Sequence, residues 1–318
     1  MGDIKIFSNT PAKGLTGEVC EILRVEPAIQ SIRRFADGEV SAIIGEGVRS
    51  SDAFIIASLQ APSEYRDEMR LLAESARSSC AGRLIIVVTY LGYNRQDRRD
   101  KSHAPIGALM PIRDICESRP DHVMMLDVHS EQSLIAFRAL GVVCDNLFAS
   151  YVLFPKLQSM MNGDFVVATP DKGGGGRAMW YYKKLGFNDY TMFAKERPAP
   201  GEVDGDRIKI IGEVAGKDIV FVDDIIDSGK TIVKDAEAAK KAGAKNIYVL
   251  ATHGLFSGDA VRLIEDSPLD KVVVTNSVMV SDDDLNRSSK ITRVSIAPLI
   301  AEAIRRFHNK ESFKTLYI

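Results

Sequence analysis

The feature that most restricts this chain is a series of short, uninterrupted apolar runs with helical stretches between them: Phe54 to Leu59, Leu84 to Val88, Val123 to Leu126, Phe165 to Ala168, Ile219 to Val222, Ile247 to Leu250 and Val272 to Thr275. Consecutive apolar, largely β-branched residues suit strands covered on both faces, as in parallel sheets flanked by helices. Between the first two runs, Tyr65, Met69, Leu72, Ala73, Ala76 and Cys80 recur at helical spacing, and Gly82 offers a left-handed stop. Strand, helix, strand is the repeating unit, so the expected fold class is α/β with mostly parallel sheets. Arg207 to Ile211 is strand-like as well. Ligands of such sheets bind beyond the carboxyl ends of the strands, which directs attention to the residues just after each one.

At roughly 150 residues per domain, 318 residues fill one large domain or two medium ones. Asp145 and Asn146, turn formers after the Leu140 to Cys144 segment, mark the expected seam, giving domains 1–148 and 149–318. Lys plus Arg number 41 against 43 Asp plus Glu, so no global positive field exists to hold nucleic acid or an anionic membrane. Any anion site must be local. The four cysteines, Cys20, Cys80, Cys116 and Cys144, lack CxxC spacing and are expected as buried free thiols of a reducing compartment. No apolar run approaches the ~20 residues that cross a bilayer, so a soluble cytoplasmic protein is expected.

The sharpest local signal follows Ile219 to Val222: Asp223, Asp224, Ile225, Ile226, Asp227, Ser228, Gly229, Lys230 and Thr231, then a helix ending near Gly243. A small polar loop entering a helix presents free backbone N–H groups within positive dipole potential, which binds a phosphate. Ser228 and Thr231 add hydroxyl donors, and Gly229 permits close backbone approach. Asp223 and Asp224 would repel that anion; they suit sugar hydroxyls or a hydrated Mg²⁺. A Walker nucleotide loop would need glycine where Asp224 stands. An ordinary acidic cap would account for Asp227 and Ser228 but not for two further acids ending an apolar strand. These residues resemble the phosphoribosyl-diphosphate binding loop of type I phosphoribosyltransferase folds.

Four more segments bear on the chemistry. Arg34 to Val40 sets Phe35 beside Asp37, Gly38 and Glu39, a ring and carboxylates able to stack on a flat base and accept from an exocyclic amine. Arg95, Gln96, Asp97, Arg98 and Arg99 form a polar patch after a strand, with guanidinium forks suited to phosphate oxygens. His129, after Asp127 and Val128, falls at the ligand-bearing edge, where an imidazole beside an acid can hold a metal or a phosphate. Pro170 to Arg177 contains Asp171, a candidate Mg²⁺ ligand, and four consecutive glycines. Lys195, Glu196 and Arg197 open a long polar, proline-bearing loop able to close over a transferring phosphoryl group.

Together, RFADGEV, GYNRQDR, DVH, PDKGGGGRA, AKERP, VDDIIDSGKT, VVTNS and the closing IAPLIAEAI resemble the ribose-phosphate diphosphokinase, or phosphoribosyl-diphosphate synthetase, family over nearly the whole chain. The resemblance implies two domains of type I phosphoribosyltransferase-like fold, an active site between them completed by a neighbouring subunit of a homo-oligomer, and a last helix that is a candidate to pack back on the N-terminal domain. It implies that Phe35, Asp37, Gly38 and Glu39 recognise adenine from the adjacent subunit. Arg95, Gln96 and His129 would hold ATP, and His129 and Asp171 would hold Mg²⁺. Asp223 and Asp224 would meet the ribose hydroxyls, Asp227, Ser228, Gly229, Lys230 and Thr231 the 5-phosphate, and Lys195 and Arg197 would be catalytic. The implied reaction moves the β,γ-diphosphoryl group of ATP to the C1 hydroxyl of ribose 5-phosphate, releasing AMP.

Some positions depart from the family pattern. Lys230 stands where glycine is usual, Glu196 where a basic residue is, Ser130 where alanine is, and Lys172 intrudes near the glycines. Asp100, His103 and Ala104 thin the basic cluster after RQDR, which bears on regulatory anion binding. Two rivals remain at this point: a phosphoribosyltransferase, which shares the acidic loop, and a non-catalytic regulatory homologue of the synthetase.

Overall fold

Alternation along the apolar runs sets both faces of each sheet. The computed structural model describes residues 3–99, 101–160, 165–170, 175–186, 190–196 and 207–316, apart from the side chains of 175, 195, 196 and 207. The chain divides into two units, one of residues 1–151, 277–279 and 295–318, the other of 152–276 and 280–294.

In chain order the first unit holds β1 (Ile4–Ser8), α1 (Lys13–Leu23), β2 (Gln30–Arg34), β3 (Val40–Ile44), β4 (Asp52–Ser58), α2 (Glu64–Ser78), β5 (Arg83–Tyr90), α3 (Leu109–Glu117), β6 (His122–Leu126), α4 (Glu131–Ala139) and β7 (Cys144–Leu147). Among the described residues its main sheet has five parallel strands in the order β1-β4-β5-β6-β7, while β2 and β3 pair as a separate antiparallel hairpin. Every residue of β4 is buried, as two-sided cover requires. Ile55, Ile86 and Met125 share one core with Met69 and Leu72 of α2, Ile112 of α3 and Phe137 of α4. Each fully buried side chain of this size contributes about 1.5–3 kcal/mol.

The chain continues through α5 (Ser150–Met160), β8 (Phe165–Thr169), α6 (Gly175–Lys184), β9 (Thr191–Glu196), β10 (Arg207–Ile211), β11 (Asp218–Ile226), α7 (Lys230–Lys241), β12 (Ile247–Gly254), α8 (Ala260–Glu265), β13 (Lys271–Thr275), α9 (Asp282–Leu285) and β14 (Ile291–Val294). The second unit's described sheet runs β10-β9-β8-β11-β12-β13-β14, parallel throughout except for the β9–β10 pair. Its core joins Phe221 and Val249 of the central strands to Ile232 and Ala236 of α7. Helix α10 (Ala297–His308) returns to the first unit, where the ring of Phe307 lies edge-on to Phe54, centroids 6.0 Å apart. No helix of the described residues is long and apolar enough to cross a membrane.

Several expectations are corrected. The left-handed residue after α2 is Cys80 (φ 61°), not Gly82; Gly82 instead lies so close to the Ser50 backbone that a Cβ would sit 2.8 Å from its carbonyl carbon and oxygen. That turn also exposes Cys80, so the buried-thiol expectation holds fully for Cys20 alone, with Cys116 and Cys144 half-buried. Asp145 and Asn146 are not turn residues but part of β7, because their backbones pair with Met124 and Met125. Leu59 is buried yet outside β4, and β11 runs four residues beyond Val222 to Ile226.

Candidate functional site

The carboxyl end of β11 carries the acid pair inside the strand rather than after it. Asp223 pairs in register with Ala251, Ile225 with His253 and Ile226 with Gly254, and this continued pairing with β12 keeps the backbone extended through both acids. Alternation then sends the two carboxylates to opposite faces at their Cα atoms. The chain nevertheless couples them, since the backbone N–H of Asp224 donates to Asp223 Oδ1 at 2.9 Å. Asp224 is 6% exposed. Arg177, in the first turn of α6, places Nη1 3.6 Å from Asp224 Oδ1 and 4.0 Å from Asp223 Oδ1. Burial first, and the neighbouring Asp224 charge second, push the Asp223 carboxyl up to about 8, with Arg177 opposing both. Each charge of the pair thus makes the other harder to form.

Asp227, Ser228 and Gly229 form the loop proper, and Lys230 and Thr231 open α7. Gly229 is the cap residue in a left-handed conformation (φ 72°), and it supplies no side-chain acceptor to the first turn. The N–H groups of such a first turn suit an anion, and α7 has no acidic residue in that turn to compete. The loop is braced from the segment after β12 by the Ser257 N–H, which donates to the Asp227 carbonyl at 3.1 Å. Ser228, Lys230 and Thr231 are exposed.

In the first unit, Arg95 and Gln96 follow β5 and His129 follows β6, neighbouring strands of the sheet. A buried hydrogen bond joins the two segments, Ser133 Oγ of α4 to Asn94 Oδ1 at 2.7 Å. Gln96 is fixed by its backbone, which accepts from the Ala108 N–H at 3.1 Å, and its side chain lies where a Cβ on Gly107 would collide at 2.4 Å. Arg99 serves the loop itself, its Nε donating to the Ala104 carbonyl at 3.1 Å. His129 is exposed. Its neighbour Asp127 is buried, accepts from the Ala149 N–H at 2.9 Å and so holds the β6–β7 corner. Ser130 has a local use: its hydroxyl caps α4, accepting from the Gln132 N–H at 3.1 Å.

The Phe35 to Glu39 segment is the tip of the β2–β3 hairpin, on its own small sheet rather than at the edge that carries Gln96 and His129. Gly38 turns at φ 93°, the Glu39 N–H donates to Asp37 Oδ1 at 3.1 Å, and the Phe35 N–H donates to the Glu39 carbonyl at 2.9 Å. The turn is internally bonded while the Phe35 ring stays 51% exposed. Arg34 ties the hairpin to Glu64 of α2 at 2.7 Å.

Lys195 and Glu196 are the last residues of β9, not loop residues as expected, because their backbones pair with Ile208 and Arg207 of β10. Arg197 and Asp171 lie outside the described residues, as does the Lys195 side chain. Among the described residues no group of three metal-binding side chains converges. Arg177 is the residue whose part in the site sequence reasoning missed. Its only local mark is its place directly after the glycine run, and the α6–β11 packing that brings it to the acids is not written in the spacing.

Comparison with known proteins agrees with this geometry. The family profile described as the N-terminal domain of ribose phosphate pyrophosphokinase matches residues 4–116, and the one described as the phosphoribosyl synthetase-associated domain matches residues 190–318. A ribose-phosphate pyrophosphokinase of Vibrio parahaemolyticus is 38% identical over 319 residues, covering 100% of both chains. That of Shewanella oneidensis is 37% identical, covering 100% of this chain and 99% of its own. Among solved structures, phosphoribosylpyrophosphate synthetase from Mycobacterium smegmatis superposes with a TM-score of 0.88 at 27% identity, over 97% of this chain and 99% of that one.

Proposed function

The chain belongs to the ribose-phosphate pyrophosphokinase family, and from that premise we propose how its residues divide the reaction. The enzyme moves the β,γ-diphosphoryl group of ATP to the C1 hydroxyl of ribose 5-phosphate and releases AMP. The observation that carries this assignment is the end of β11: an acid pair, then a short loop, then a glycine-capped helix start. Hydroxyl donors and a phosphate monoester on one small molecule match that order of groups.

The C-terminal domain, 149–318 less the returning α10, takes ribose 5-phosphate. Asp223 and Asp224 accept from the ring hydroxyls, while the N–H groups of 227–231, with the Ser228 and Thr231 hydroxyls and the Lys230 charge, hold the 5-phosphate. The N-terminal domain, 1–148 with α10, takes ATP. Arg95, Gln96 and His129 hold its phosphates and ribose, supported by the Ser133–Asn94 bond that fixes one segment against the other. The exposed, internally bonded hairpin tip at Phe35, Asp37, Gly38 and Glu39 serves the adenine of an ATP held by an adjacent subunit of a homo-oligomer.

A kinase of this class uses a metal ion, which we take to be Mg²⁺. One imidazole and one carboxylate, His129 and Asp171, are too few donors for a cage, but Mg²⁺ keeps much of its water and shares its shell with substrate phosphates. The ion would offset charge on the phosphoryl oxygens when bound. Transfer needs the C1 oxygen, the β-phosphorus and the leaving AMP oxygen in line, so positioning and charge neutralisation carry the catalysis. Lys195 and Arg197 supply positive charge to the moving group.

The test is direct: purified protein with ATP, Mg²⁺ and ribose 5-phosphate is expected to yield AMP and phosphoribosyl diphosphate in equal amounts. Neither product there, but transfer to a base with release of diphosphate when phosphoribosyl diphosphate and the base are supplied instead, would mark a phosphoribosyltransferase, and inactivity in both assays would mark a regulatory homologue.

A further inference from the structure

We propose that Arg177 is a positioning residue of the ribose subsite, its guanidinium holding the Asp223 and Asp224 carboxylates as joint acceptors for the sugar hydroxyls. The inference rests on the assignment of that acid pair to the sugar. Its first support is distance. Nη1 stands 3.6 Å from Asp224 Oδ1 and 4.0 Å from Asp223 Oδ1, within reach of strong Coulomb attraction but beyond hydrogen-bond length. A guanidinium docked bidentately on either acid would occupy the lone pairs that the sugar needs. At the observed separation it offsets charge without itself taking a carboxylate oxygen in a bidentate hydrogen bond.

The second support is burial. Asp224 is 6% exposed and its side chain 8%, the Asp223 side chain 25% and the Arg177 side chain 24%. Two carboxylates so placed cannot both ionise without a nearby cation. The Asp223 carboxyl already stands at about 8 through burial and Asp224, with Arg177 pulling it down. Removing that pull raises the carboxyl further, so that a proton stays on the pair to higher pH and costs one acceptor site. Among the described residues, the other titratable groups on the elements beside this end of β11 include His253 of β12, in register with Ile225, Asp227 and Lys230 on the following loop and helix start, and the buried Tyr181 of α6. Lys183 and Lys184 stand at the far end of α6, and β8 brings none. Arg177 is the one that approaches both acids from α6.

The arrangement separates Arg177 from the phosphate loop in function. The loop binds an anion and tolerates added positive charge, whereas the acid pair binds neutral hydroxyls and needs its own charge balanced. A cation fixed on α6, behind the pair, meets the second need without attracting the 5-phosphate away from α7.

The experiment is calorimetric titration of the intact protein with ribose 5-phosphate from pH 6 to 9, without ATP, for the native chain, Arg177→Met, Arg177→Lys and Asp224→Asn. Arg177→Met is expected to move the pH at which affinity is gained upward by about one unit or more, the size of a neighbouring-charge effect. At pH 7 its affinity should fall about tenfold, with ATP affinity within about twofold of native. Arg177→Lys, which returns a positive charge, is expected to restore most of both. A native pH profile in Arg177→Met, alongside lost binding in Asp224→Asn, overturns the inference and leaves the ribose subsite standing. Native ribose 5-phosphate binding in Asp224→Asn overturns the subsite assignment and the inference with it. Should Arg177→Met fail to fold, Arg177→Gln takes its place, and failure of Arg177→Lys to recover the profile that Arg177→Gln has lost also overturns the inference.

Discussion

At the scale of single residues, the chemistry depends on where charge is placed and how much water reaches it. Gly229 can hold φ 72° without the steric cost that a Cβ imposes there, which is why the chain can turn from β11 into α7 with the helix N–H groups facing outward. Lys195 sits in register opposite Ile208 at the end of β9, so its backbone is held by the sheet. By the cost of other lost charge-stabilising donors, Lys195→Ala is expected to lower turnover about 10²-fold or more with little change in ribose 5-phosphate affinity. Steady-state kinetics alongside direct binding decide this: weakened binding with unchanged turnover would remove the catalytic role. Asp223, Asp224 and the loop to Thr231 were legible because strand, acids, glycine and helix follow one another within a few residues. Arg177 was not, since nothing within its own segment says that α6 will lie beside β11. Asp127 and Ser130 show the reverse error of proximity, for both flank His129 and both serve the fold.

At the scale of elements, α10 shows how a distant helix is held. Asp52 of β4, its side chain 8% exposed, accepts from Arg83 Nε of β5 at 2.7 Å and lies 2.6 Å from Nδ1 of His308 at the end of α10. Burial alone would raise the Asp52 carboxyl, but the hydrogen bonds from Arg83 and His308 outweigh it and hold the group below the usual carboxylate range. A lowered folded value stabilises the native state above the unfolded carboxyl's range, and that contribution is lost as pH falls below about 4. Asp52→Asn, which breaks a largely buried ion cluster, is expected to cost about 3 kcal/mol at pH 7 and to flatten the acid limb of stability. Urea unfolding at several pH values between 3 and 7 measures both, and an unchanged acid limb would disprove the role. The Arg83 guanidinium also lies 4.7 Å from the Phe307 ring centroid, adding a cation–π contact to the same joint. The strand positions were readable from apolar runs, but the ends were not: β11 outlasts its apolar stretch because β12 continues to pair with it, and α2 ends at Ser78, two residues before the left-handed Cys80 and the close pass of Gly82 by the Ser50 backbone.

At the scale of the whole molecule, the proposed reaction draws on residues spread from the hairpin tip to α7, and the hairpin is assigned to a neighbouring copy. That sharing makes a prediction no single chain could satisfy. Phe35→Ala and Lys195→Ala proteins, each weakly active alone, are expected to regain activity when unfolded and refolded together, because some mixed sites then hold both native residues. Activity equal to the mean of the two separate proteins would show that each chain serves only itself. The sequence by itself determined the α/β class, the central strands and the acid-bearing loop between β11 and α7, because apolar period and a strand-to-helix loop are local properties of consecutive residues. Tertiary structure alone decided that Asp52 meets a histidine 256 positions away and that Arg177 stands beside the acid pair. Those outcomes depend on which faces pack together, and packing compares surfaces that no stretch of sequence contains on its own.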